Sequence, residues 1–289
     1  MSTAQKLSYW LRSALQQRQP RSCPCCGGTE VAEIDRKAVV TLLLQCHRCG
    51  LNFRWPRDDS RWLQNFYQQA YSIDQPLMTE LPSQDELAML KADNFSDQPD
   101  YSAYLNELAG RCGRILDYGC SWGYNVYKLS RAGFCVEGFE LSRPRADYGC
   151  RNLGVTIHTD SSQIKGCYDV IFSSHVIEHL PSIPDFLTFV RRHLSPDGYL
   201  IVFCPNGSND YRQREPQIWH LNWGLVHPNF LGVEFVSRVL ADHPHLVLTG
   251  DWTFPLDAIS GWDGRSQVIG ERRDGKELMF LAKPNILLN

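Results

Sequence analysis

Residues 114–129 read RILDYGCSWGYNVYKL. Ile115 and Leu116 are adjacent apolar residues, a turn carrying Gly119 and Gly123 follows, and Val126 and Leu129 then recur at helical spacing. The stretch therefore predicts a strand, a glycine turn and a helix. Such a turn borders a ligand crevice: glycines let the backbone approach closely, the helix N-terminus offers unpaired N–H groups to an anion, and Asp117 at the strand end accepts from a cation. A ligand bearing both charges, such as an amino acid moiety, suits it. The spacing Asp-x-Gly-x-Ser-x-Gly departs from the dinucleotide fingerprint, and a glycine turn alone is weak evidence that also fits a purely structural strand-to-helix turn, so the flanking residues decide.

Downstream, residues 134–139 predict a second strand ending in Glu140, 23 residues after Asp117, where a carboxylate can accept both hydroxyls of a ribose. Leu141 is placed to cover an adenine face. A helix over 143–153 and a strand over 155–158 follow, ending in Thr159-Asp160-Ser161. Asp160 can accept from an adenine amino group while the Ser161 N–H donates to a ring nitrogen. Residues 168–172 predict a fourth strand, running into Ser173-Ser-His-Val-Ile-Glu-His179.

Upstream, Cys23-Pro-Cys-Cys26-Gly and Cys46-His-Arg-Cys49-Gly give C-x2-C-x19-C-x2-C. Two knuckles ending in glycine can present four thiolates tetrahedrally, and a closed four-sulfur site has no open position, so the reading is a structural zinc on Cys23, Cys26, Cys46 and Cys49. Cys25 and His47 are alternative ligands, and iron is an alternative metal. Residues 31–34 and 38–44 predict the strands of a ribbon too small to hold without metal. Between Arg21 and Arg61 seven Lys or Arg face five acids, a mild excess that permits nucleic-acid binding without indicating it.

Across 289 residues, 43% hydrophobic and 21% charged, there is apolar material for a full domain plus a small one. The net charge of -3 supplies no general pull towards nucleic acid or an anionic membrane. The first twenty residues predict a short amphipathic helix rather than an export signal, with no membrane span. Eleven cysteines in that setting predict reduced thiols and a cytoplasmic address. Aromatic residues at helical intervals over 62–71 predict a packing helix, and the polar, proline-bearing stretch 72–98 a linker with a helix at 84–91. A further helix is expected over 101–109.

Asp117-Tyr-Gly-Cys-Ser-Trp-Gly123, Val136-Glu-Gly-Phe-Glu140, Asp160, Tyr168-Asp-Val-Ile and Val176-Ile-Glu-His-Leu180, with Leu194-Ser-Pro-Asp-Gly-Tyr-Leu200 and Cys204-Pro-Asn206, resemble the successive motifs of the class I S-adenosylmethionine-dependent methyltransferases. The resemblance covers about residues 100–283 and implies an α/β fold: a Rossmann-like seven-stranded sheet with flanking helices and a reversed C-terminal hairpin from 246–249 and 278–282. It implies S-adenosylmethionine contacts at Asp117, Gly119, Cys120, Ser121, Gly123, Glu140, Leu141, Asp160, Ser161, Ser174 and His175. Ser121 departs from the family's glycine triplet; its Cβ narrows the approach and its hydroxyl can donate to the methionine carboxylate. Cys49-Gly-Leu-Asn-Phe53, Pro56 and Phe66-Tyr67 with Tyr71 also resemble zinc-knuckle N-termini of bacterial methyltransferases acting on sugars, surface polysaccharides and secondary metabolites. The division expected is 1–60 for N-terminal helix and ribbon, 61–99 for the helical linker and 100–289 for the methyltransferase domain.

Transfer from a sulfonium needs the acceptor placed behind the methyl group, and a hydroxyl or carbon acceptor also needs a base. Histidine is the first candidate. His227 leads, in a stretch resembling one that points into the acceptor pocket of sugar methyltransferases; His220 is next, and His175 is either base or cofactor contact. Glu178 and His179 brace the site in most of the family and help hold a divalent metal in a few relatives. Residues 206–230, with Tyr211, Trp219 and Trp223, suit a sugar ring. The expected substrate is a saccharide or small polyhydroxylated metabolite, methylated on oxygen in preference to carbon. Two alternatives are an RNA methyltransferase gripping its substrate through the ribbon and a non-catalytic scaffold whose cofactor site Ser121 has closed.

Overall fold

The computed structural model describes residues 3–59, 62, 81–92, 100–109 and 113–283. Apart from Trp62, the expected aromatic helix over 62–71 lies outside them, as does most of the linker. The strand, turn and helix read from residues 114–129 are Arg114–Tyr118, the glycine turn and Tyr124–Arg131.

The strands, numbered in chain order, are β1 (Val31–Lys37), β2 (Thr41–Cys46), β3 (Asn52–Trp55), β4 (Arg114–Tyr118), β5 (Cys135–Phe139), β6 (Ile157–His158), β7 (Tyr168–Ser174), β8 (Leu194–Pro205), β9 (Asn229–Phe230), β10 (His245–Gly250), β11 (Gln267–Ile269) and β12 (Glu277–Ala282). The main sheet has the order β11-β10-β12-β8-β7-β4-β5-β6, and only β12 is antiparallel to its neighbours, which is the expected reversed strand. The sheet has eight strands rather than the seven expected. The extra one, β11, pairs parallel with β10 at the sheet's edge, and its three residues are all exposed, so no buried apolar pattern announced it.

Near-continuous apolar runs in β7 and β8 suit strands covered on both faces. Successive residues alternate between two cores: Leu116, Ile171, Leu200 and Val202 on one face, Ile115, Val170, Phe172, Ile201 and Phe203 on the other. Tyr104 and Leu105 of the helix Ser102–Ala109 cover the second face.

The ribbon differs from expectation in extent. Ala38 and Val39 take positive φ angles of 48° and 64° and form the hairpin turn, so β1 runs on to Lys37 and β2 starts only at Thr41. β3 was not foreseen, and β9, from far along the chain, pairs antiparallel with it to give the order β1-β2-β3-β9. Ribbon residues Leu42, Leu44, Phe53 and Trp55 belong to the same core as Leu116 and Ile171. On the ribbon's other face Leu43 packs with Tyr211, Trp219, Trp223 and Phe230. Those aromatic residues, expected to stack on a sugar, are instead at most 2% exposed, because they cover the apolar ribbon face.

Arg54 is fully buried in the ribbon and its guanidinium donates to Asp58 Oδ2 at 2.6 Å, to Ser13 Oγ and to Tyr9 Oη of the helix Thr3–Leu15. Removing the carboxylate leaves a buried charge with its counter-ion gone, so Asp58→Ala is expected to lower stability by about 3–5 kcal/mol. Thermal or denaturant unfolding checks this; a change under about 1 kcal/mol would show that the pair is exposed in solution.

Candidate active site at the carboxyl edge of the sheet

β4, β5 and β7 are parallel, so their carboxyl ends meet along one edge. There the glycine turn leaves β4. Gly119 has φ 82°, and a Cβ built on it would lie 2.3 Å from a Val176 methyl, so only glycine fits between the turn and the segment after β7. Ser121 also has positive φ, 55°, the conformation a glycine would adopt without strain. Its hydroxyl accepts from Arg145 Nη1 at 2.7 Å, and its N–H donates to Glu140 Oε2 at 3.0 Å. The expected methionine-carboxylate donor is thus tied first to a buried arginine of the helix Arg143–Leu153.

Asp117 is 2% exposed, and its Oδ2 has no hydrogen-bond partner. Burial, reinforced by the Glu140 charge, pushes its carboxyl up to about 8. A buried carboxylate oxygen without a partner at the carboxyl edge of the sheet suits a cationic ligand group. Glu140 follows β5; Oε1 accepts from Ser142 N–H at 2.7 Å and Oε2 from Ser121 N–H. Each oxygen keeps a lone pair for a ligand hydroxyl. Burial raises its pKa, partly offset by the two amides and Arg145. Cys120 is buried, Leu141 is exposed on the lip, and Gly123 caps the helix Tyr124–Arg131. Asp160 caps the single turn Ser161–Gln163 by accepting from Ser162 N–H, and Ser161 opens that turn. Ser174 Oγ is 2.7 Å from Tyr101 Oη.

After β7 lies a cluster of imidazoles and carboxylates. His175, with φ 54°, has Nδ1 at 3.5 Å from Glu178 Oε1 and Nε2 at 3.4 Å from Glu277 Oε2. Burial pulls its pKa down, but Glu178 and Glu277 more than reverse this, leaving it raised. Burial pushes Glu178 up, and His175, with His179 and His227 beyond it, holds it below the usual range. Burial pulls His179 down to about 4, so it is neutral at pH 7; its Nδ1 is 2.7 Å from Val226 O. The His227 ring lies 4.7 Å from that of His179, with Nδ1 on Asn222 O at 2.5 Å. In both rings Nδ1 donates to a carbonyl, which leaves Nε2 as the basic nitrogen. Glu178, His179 and His227 bring one ligand atom each within 4.8 Å of one another, a donor set that a divalent cation could use.

His175, Glu178, His179 and His227 therefore come together, whereas His220 does not join them: its Nδ1 donates to Asp35 of the ribbon at 2.7 Å. Two groups escaped the sequence reading. Glu277 opens the otherwise apolar β12 and is pushed up to about 7 by burial; a lone acid heading ELMFLA was the available signal. Trp252 follows β10 with φ 76°, 57% exposed, its ring 6.2 Å from His175.

Cys23, Cys26, Cys46 and Cys49 bring their sulfurs within 4.8 Å of one another, with Cys23–Cys49 and Cys26–Cys46 each at 3.5 Å. A zinc tetrahedron with bonds of about 2.3 Å has edges of about 3.8 Å, so the set fits. The Cys49 sulfur and burial push the Cys23 thiol well up. Among the described residues, no helix is long and apolar enough to cross a membrane.

Residues 91–243, just over half of the chain, match the model of a family described as "Methyltransferase domain". The chain is similar to "Ubiquinone biosynthesis O-methyltransferase" of Nitrosococcus oceani, 26% identical over 44% of this chain and 69% of that one. It is also similar to the protein of that name from Roseobacter denitrificans, 28% identical over 52% and 60%. Relatives of the same name from Rickettsia are matched over less than half of their length. Among solved structures, magnesium protoporphyrin IX methyltransferase from Synechocystis PCC 6803 with bound SAH superposes with a TM-score of 0.47 at 13% identity, over 78% of this chain and 99% of that one.

A ligand ammonium requires ionised Asp117, whereas the ligand-free protein holds that proton below about pH 8. Affinity for S-adenosylhomocysteine is therefore expected to rise with pH, by up to about tenfold per unit between about pH 6 and 8, then level off. Calorimetry in buffers of different ionisation enthalpy should detect up to one proton released near pH 6.5; binding that is independent of pH with no proton release would exclude this role.

Proposed function

The chain belongs to the Methyltransferase domain family, and from that premise we propose that it transfers the methyl group of S-adenosylmethionine to a hydroxyl oxygen of a small, polyhydroxylated acceptor such as a saccharide. The carrying observation is the pairing of Asp117, one oxygen unpartnered in a buried floor, with Glu140, bracketed by two amides at the next strand end. Asp117 would receive the α-ammonium and Glu140 the ribose hydroxyls, with Leu141, Asp160 and Ser161 at the adenine, and Gly119, Cys120, Ser121, Gly123 and Ser174 along the turn. The relatives named O-methyltransferase support oxygen as the acceptor.

In-line transfer leaves two tasks to the protein, placing the acceptor oxygen behind the methyl group and taking its proton. Nε2 of His227 is our choice of base, with neutral His179 and ionised Glu178 behind it to hold the resulting charge. His175 is the second candidate, because Glu178 and Glu277 already occupy its two nitrogens. Exposed Trp252 beside it offers a face for a ring-bearing acceptor. The burial of Tyr211, Trp219 and Trp223 removes the aromatic support first expected for a sugar, so the acceptor class now rests on the hydroxyl chemistry and the resemblance. Cys23, Cys26, Cys46 and Cys49 would hold zinc, which supplies rigidity only, since four thiolates close its coordination. Arg54 and Arg57 of the ribbon are turned to internal partners, which takes two of its basic side chains away from any RNA.

Calorimetry with S-adenosylmethionine tests the first half: Asp117→Ala and Glu140→Ala should each weaken binding by about 30-fold or more. Absence of binding by the folded, metal-loaded wild type would sink the proposal. For the second half, release of S-adenosylhomocysteine is followed across a panel of sugars and catechols. With whichever acceptor turns over, His227→Ala should lower kcat by about 10²–10⁴ while leaving cofactor affinity unchanged. A fall in cofactor affinity with kcat preserved would remove His227 from the role of base.

A further inference from the structure

The segments bearing the acceptor-side histidines are held by the ribbon. Arg57, at the end of the ribbon, donates from Nη1 to Asn229 Oδ1 at 3.0 Å and from Nη2 to the Pro181 carbonyl at 2.9 Å. Asn229 passes the contact on, its Nδ2 donating to the Leu180 carbonyl at 2.7 Å. One ribbon side chain thus clasps the residues after His227 to those after Glu178-His179. Backbone pairing reinforces this, with Arg54 N–H donating to the Pro228 carbonyl at 2.8 Å and β3 paired to β9. Asp35 Oδ2 accepts from both His220 Nδ1 and Trp223 Nε1, and Asn52 Nδ2 donates to the Gly207 carbonyl. Among the described residues, Glu140 is held by the Ser121 and Ser142 amides and Asp117 Oδ2 has no hydrogen-bond partner, so no such tie joins the ribbon to either acid.

We infer that the cysteine ribbon is the fixed wall of the acceptor half of the site, with Arg57 as the positioning residue for His227 and Asp35 fixing the adjoining helix through His220 and Trp223. The inference rests on the proposed methyl-transfer site, but not on the identity of the acceptor. Metal at the knuckles then controls the acceptor half and leaves the cofactor half intact.

Three measurements on the full chain test it: hydrogen exchange, nitrogen NMR of the histidine rings, and calorimetry with S-adenosylhomocysteine. Amides of residues 177–181 and 227–230 in Arg57→Gln, and of residues 218–223 in Asp35→Ala, should exchange about tenfold faster or more, as expected for loss of a charge-assisted bond. The ring-nitrogen signature of His227 should change in the first variant and that of His220 in the second, and Asp35→Asn should restore much of the latter. Affinity for S-adenosylhomocysteine should stay within about twofold of wild type, the cofactor half being untouched. Chelation of metal from the wild type should repeat the exchange pattern, which keeps the test open if a variant fails to fold. Unchanged protection of 177–181 and 218–230 after metal loss, or loss of protection spread equally over residues 114–140, would overturn the inference. Wild type that never binds S-adenosylhomocysteine would count against the proposed function instead.

Discussion

The site depends on a desolvated pair of acids. Asp117, one residue before the end of β4, lies inside the protein with one carboxyl oxygen facing no donor and Glu140 close by. Two carboxyls in one desolvated edge repel, and the ligand-free protein meets this by keeping the Asp117 proton up to about pH 8. Arg145 relieves it at Glu140, and the amides of Ser121 and Ser142 share the work. In the proposed cofactor complex a ligand ammonium would take the place of that proton at Asp117. The turn then follows from geometry: it must pass within van der Waals reach of Val176, which excludes a side chain at Gly119.

The ribbon changes how the rest of the molecule is understood. Its inner residues share a core with one face of the main sheet, its outer face is covered by residues 211–223, and its last strand is completed by β9. A module that borrows a strand and two layers of packing from its neighbour has little freedom to act as a detachable arm. Two of its arginines are turned inward for the same reason: Arg54 is closed around Asp58, and Arg57, though burial lowers it to about 10, stays cationic while bound to two carbonyl-type oxygens.

Local signals made the cofactor half legible. The order of strand, glycine turn, helix, strand and acid is contained in residues 114–140, each step set by near neighbours, and the structure places those elements as expected. The Cys-x-x-Cys knuckles were legible for the same reason. What could not be seen depends on distant pairing. β9 is two residues long and exists because β3 lies beside it; β11 has no buried residue to mark it. The aromatic residues 211, 219 and 223 have the composition of a ligand-binding loop, and only the apolar outer face of β2 shows that they are core. Glu277 stood in plain view but became meaningful only when the antiparallel β12 put it opposite Pro205, at the same edge as His175.

That antiparallel strand also explains how acids and imidazoles come to share one pocket. In the parallel strands the site residues follow the carboxyl end, whereas in β12 the amino end lies at that edge, so the first residue of the strand faces the crevice. Glu277 thereby reaches His175 from the side opposite Glu178. With both acids ionised the pocket favours a cationic His175, and with Glu277 protonated, as burial promotes, that preference weakens. His179 sits deeper and stays neutral, so His227, the base proposed above, lies beside an uncharged ring and a buried carboxylate. A base in that setting gains a proton as the acceptor loses one without two imidazolium rings having to coexist, which is the electrostatic condition that transfer to a hydroxyl oxygen imposes.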